Sequence, residues 1–200
     1  MSDNVPLPAA AGNAATDEVT YSGDAAQVQL VRLVNVAGAE GSKSVNPFRD
    51  LKLISVASAG LTTATTAYAA GDQTGTLFTL ADAAADSGGG GTIVGATLVD
   101  ASDVIGSFDL VIFDSSVTLA ADNDAFDISD TDAAKIVSVI PLLGPLDLGS
   151  NRVALAQNVA VPYVCSGSAN LYAALITRSS NAVYAAGAAS LTLRVYVERN

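Results

Sequence analysis

The chain has no histidine, no tryptophan, one cysteine and one methionine in 200 residues. Without histidine there is no imidazole general base, no Ser-His-Asp triad and no standard catalytic zinc site. A single cysteine, Cys165, excludes an intramolecular disulfide framework and gives no sign of export, so folding in a reducing cytoplasm is expected. As a nucleophile Cys165 lacks the partner that would make it a thiolate, and a small buried hydrophobe is its expected role. Cations are scarce as well: nine Lys and Arg stand against twenty Asp and Glu, a formal net charge of −11. Such a surface repels phosphate backbones and anionic headgroups, which argues against nucleic-acid and membrane partners. No run of about 18 apolar residues occurs, and residues 1–24 carry neither a basic n-region nor an apolar h-region. Neither a membrane span nor a signal peptide is expected.

What is present is aliphatic. Half of the residues are hydrophobic but only 6% are aromatic, so the core must be built from Val, Ile, Leu and Ala. The length suits one domain, or one domain and an arm. Residues 1–24 are small and polar, with Pro6 and Pro8 removing backbone donors and Gly12 and Gly23 adding freedom; they are expected to form an extended N-terminal arm. From Ala25 to Asn200 short Val/Ile/Leu runs alternate with Gly, Asp, Asn, Ser and Pro clusters, as in a single domain of many strands joined by turns. In SLTLRVYVE, Leu191, Leu193, Val195 and Val197 alternate with Thr192, Arg194, Tyr196 and Glu198, a period of two without exception. SFDLVIFD sets Phe108, Leu110 and Ile112 against Asp109, Val111 and Phe113, one face buried and the other partly covered. LYAALITR, KIVSVIP, LKLISVA and TIVGATLV are similar runs. About eight to ten strands with these spacings predict an all-β fold, an antiparallel β-sandwich with a jelly roll as its candidate topology. AQVQLVRLVNV is apolar on both faces, as a bulge or a covering neighbour would require. Helix is limited to a turn or two in TLADAAADSG and a short turn over Thr131–Lys135 capped by Ser129 or Asp130.

Two stretches resemble binding sites. Gly88–Gly91 is a run of four glycines, and Gly89, Gly91 and Gly95 fit a loose G-x-G-x-x-x-G. A phosphate loop must open a helix, whereas Thr92, Ile93 and Val94 favour a strand, no GK[ST] follows, and Asp82 and Asp86 would repel phosphate. These glycines are expected to connect into a strand. DNDAFDISDTD gathers Asp122, Asp124, Asp127, Asp130 and Asp132, oxygen ligands of the type Ca²⁺ favours, but it lacks the turn glycine and distal glutamate of the helix-loop-helix calcium site. Asp122, Asp124 and Asp127 are kept as weak metal candidates beside the alternative of a solvated acidic loop. Every acidic loop also offers carboxylate pairs for glycoside hydrolysis, yet no Trp is available to stack a sugar. The six tyrosines are scattered, as wedges at sheet edges and subunit contacts would be. No catalytic residue, no cofactor and no enzyme activity are expected.

Several of these segments together resemble a domain of tailed-bacteriophage virion structural proteins. The resemblance rests on Tyr-x-x-Gly-Asp (Tyr68, Gly71, Asp72), a Gly-rich step into a strand, D-L-x-x-F (Asp109, Leu110, Phe113), and D-N followed by D-I-S-D (Asp122, Asn123, Asp127 to Asp130). The stretch TDEVTYSGDAAQVQLVRLVNVAGAEGSKSV is similar to segments that open phage virion proteins. The resemblance implies a structural virion protein located in the particle after assembly in the host cytoplasm. Such domains occur on capsids, necks and tails alike, so the resemblance leaves the place in the particle open; an acidic sandwich led by an arm that orders on a partner makes a capsid decoration or cement protein the leading role, with the major capsid protein or other virion proteins as partners, and closed cyclic symmetry at a threefold point of the lattice makes a homotrimer the expected oligomer. A neck, tail or short-fibre component is the alternative. A carbohydrate-binding β-domain is a third reading, which requires Tyr and carboxylates clustered on one concave surface.

Overall fold

The computed structural model describes residues 50–56, 61, 63–104, 106–180, 183 and 191–199. The expected arm over residues 1–24 and the stretch AQVQLVRLVNV lie outside them. The elements are β1 (Asp50–Val56), β2 (Gln73–Leu80), β3 (Gly90–Asp100), β4 (Phe108–Phe113), α1 (Asp130–Ala133), β5 (Ile136–Asp147), β6 (Arg152–Ala156), β7 (Val161–Val164), β8 (Leu171–Thr177) and β9 (Leu191–Arg199). All pairings are antiparallel.

The strand order β1-β9-β3-β6-β5-β4-β8-β2 is one curled sheet. It divides into two layers, β1-β9-β3-β6, with β7 beside the first residues of β3, and β2-β8-β4-β5, in which strands from the two ends of the domain interleave. That is the order of a jelly roll, two Greek keys closed face to face, and it bears out the all-β sandwich expected from the sequence. β5 turns the corner. Its first half pairs with β4 through Phe108↔Leu142 to Phe113↔Ile136, and its second half pairs with β6 through Leu143↔Leu155 to Asp147↔Arg152. The register shifts between Leu143 and Leu146, where Gly144 takes φ +63° and lets the strand bend.

The alternation read from the sequence decides which residues enter the core. Leu191, Leu193, Val195 and Val197 of β9 are fully buried, as are Phe108, Leu110 and Ile112 of β4. They meet Ile93, Leu98, Leu142 and Leu175 between the layers. Each such aliphatic or phenyl side chain contributes roughly 1.5–3 kcal/mol when withdrawn from water. The opposite face of β4 is covered too. Val111 and Phe113 form a second, smaller cluster with Val117, Ala174 and Ile176, closed by Leu119, Phe126 and Ile128 from the β4–β5 connection.

α1 begins at Asp130 with Ser129 as N-cap, whose hydroxyl accepts from the Asp132 amide at 3.1 Å, as the sequence indicates. TLADAAADSG does not form the expected helical turn. Ala83 and Ala84 are buried, and the Ala84 amide donates to Ala169 O at 2.9 Å. Tertiary packing of small residues here overrides alanine's helix propensity.

Candidate functional site

Three regions merit testing as a site: the glycine run, the acidic connection and the outward faces of the two layers. The glycines are explained by packing. β3 is eleven residues long and is flanked by β9 on one side and by β7, then β6, on the other. A Cβ at Gly90 would overlap the Tyr163 carbonyl, and one at Gly91 would overlap the Glu198 carbonyl and lie 2.6 Å from the Tyr163 hydroxyl. Only hydrogen fits between the neighbouring backbones. Upstream, Gly88 takes φ +70° and its amide donates to Ser168 O at 2.8 Å. The run opens a strand rather than a helix, so no helix dipole faces a ligand here.

The acidic connection is held by a buried hydrogen-bond knot. Tyr68, 1% exposed, donates its phenol hydrogen to Asp122 Oδ1 at 2.7 Å and accepts from the Ala64 amide at 2.7 Å. The Gly75 amide donates to the same Asp122 oxygen at 2.6 Å. Burial, and then the bond to Asp122, push the Tyr68 phenol well above its ordinary pKa. Asn123 takes the left-handed φ of 68°, which asparagine tolerates, and donates to Thr66 Oγ1 at 2.6 Å. Gly71, at φ +101°, donates to Thr177 O and accepts from the Phe126 amide, while Asp72 Oδ2 accepts from the Ala69 amide at 2.6 Å. The Tyr-x-x-Gly-Asp and D-N motifs are thus the two halves of one contact.

This arrangement disperses the weak metal candidates. Asp122 is occupied by Tyr68 and Gly75, Asp124 is exposed and offers its carbonyl to the Gln73 amide at 2.9 Å, and Asp127 is exposed beside a shallow hollow over α1. Among the described residues no three Asp, Glu, His or Cys side chains come together as a metal would require. Asp132, which also lines that hollow, is held by Lys135 at 2.8 Å, which lowers its pKa, aided by the Thr118 amide.

Cys165 is buried, as expected from the sequence, and desolvation raises its pKa above that of an ordinary thiol. The described tyrosines do not gather into a ligand belt. Tyr163 is buried and donates to the Ala83 carbonyl, Tyr68 lies in the knot, Tyr172 packs against the second cluster and Tyr196 stands partly exposed on β9.

The outward faces differ from each other. The β4–β8 face is covered by the chain's own Val117–Ile128 segment. On the β1-β9-β3-β6 layer and the adjoining end of β5, outward positions that would ordinarily be polar are leucines: Leu51, Leu53, Leu143 and Leu146 are between 51% and 65% exposed, and Leu155 is 38% exposed. Sequence reading missed this face. Its leucines come from LKLISVA and from the stretches around Leu143, Leu146 and Leu155, far apart in the chain, and only the strand order and register set them on one face.

Known proteins add little to this geometry. No family model and no curated protein matches the chain. A chain of a solved structure described as "Structure of a marine algae virus of the order Picornavirales" is similar at 13% identity and a TM-score of 0.28, over 100% of this chain and 90% of that chain. A likeness of that size assigns no function.

Proposed function

We propose that the protein is a non-enzymatic structural component of a tailed-phage virion, most specifically a decoration or cement protein that binds and stabilises the head lattice. One observation carries the reading: on an acidic jelly roll with no metal-ligating cluster among the described residues, Leu51, Leu53, Leu143 and Leu146 stand exposed on outward strand positions, a leucine-rich sheet face suited to burial against protein. The virion motifs noted in the sequence support it, because Tyr68, Gly71, Asp72, Asp122 and Asn123 converge on a single structural knot. A domain that keeps such residues for its own folding acts as a rigid module. Its net charge of −11 favours contact with other proteins over contact with packaged genome.

In this reading the partners are the major capsid protein or neighbouring virion proteins, copies associate around a threefold point, and residues 1–24 act as an arm that orders on the lattice. Ordering an arm costs on the order of 1 kcal/mol per residue, so it holds only where many contacts offset it. The test is the copy number in purified particles together with binding of the purified chain to heads that lack it. Hundreds of copies and saturable binding are expected. A dozen copies or fewer would move the protein to the neck, tail or fibre, and absence from particles would end the proposal.

A further inference from the structure

We draw no further inference here: the strongest candidate, the leucine-rich outward face of the β1-β9-β3-β6 layer with its hollow over Gly95, carries nothing beyond the reading above because nothing in the structure shows what covers it.

Discussion

Tyr68 and Asp122, 54 positions apart, share a 2.7 Å hydrogen bond that joins the entry of β2 to the acidic connection between β4 and β5. Both partners are also bound to backbone amides, Tyr68 to Ala64 and Asp122 to Gly75. Replacing Tyr68 by Phe leaves the ring in place but strands the Ala64 amide and takes one of two donors from Asp122 Oδ1, which should destabilise the fold by about 1–3 kcal/mol. Asp122→Ala should cost a similar amount, and the double variant less than the sum, because the two residues act through one network. Urea unfolding of the four proteins checks this; strictly additive losses would refute the coupling.

The same burial predicts alkaline behaviour. The Tyr68 and Tyr163 phenols are both raised above the ordinary tyrosine pKa, chiefly by desolvation. A group whose folded pKa is raised contributes stability that is complete below its unfolded pKa, near 10, and is lost as pH rises beyond it. Stability should therefore be insensitive to these groups from neutrality to about pH 9 and fall above about pH 10. Phenolate absorbance should show two tyrosines ionising only together with unfolding. Smooth titration of all tyrosines in the folded protein would contradict the burial.

Cations should not matter to this fold. Asp122 is committed to the knot, and no described carboxylates cluster around a common point. Thermal unfolding with calcium and with a chelator should give the same midpoint, and a chelator-dependent fall of several degrees would place an ion in the acidic connection after all.

How far the sequence discloses this molecule depends on the range of each interaction. Strict alternation in β9 and the two-sided apolar pattern of β4 identify strands, faces and core directly, since a period of two is written in neighbouring residues. Ser129 is legible as a cap for the same reason. The burial of Tyr68 is not, because its partner is 54 positions away. Nor does local reading separate Gly90 and Gly91, forced by the carbonyls of Tyr163 and Glu198, from glycines that merely connect. The alanines of TLADAAADSG mislead for a related reason: helix propensity and the need for small side chains under β8 ask for the same residue.

Cys165 should resist modification. It is 2% exposed, and burial holds it as the thiol, so alkylating reagents should label it only at the rate of unfolding. Labelling that rises in step with denaturant-induced unfolding is expected. Rapid labelling of the folded chain would show that the Ser166–Asn170 turn opens independently.

Gly91 offers the sharpest contrast among the glycines. Its hydrogen faces the Glu198 carbonyl of β9 and the Tyr163 ring of β7, so a methyl group there must push apart two strands that β3 holds together. Overpacking of this kind costs typically 1–3 kcal/mol, and with backbone on one side there is no flexible side chain to yield, so Gly91→Ala should lie at or above the upper end. Gly149 is different. At φ +96° with nothing near its missing Cβ, Gly149→Ala carries only the strain of the left-handed region, about 1–2 kcal/mol. Chemical denaturation of the two variants should therefore rank Gly91→Ala as the less stable. Equal losses would mean that β3 is not clamped between β7 and β9, and the explanation of the glycine run by backbone approach would fall with it.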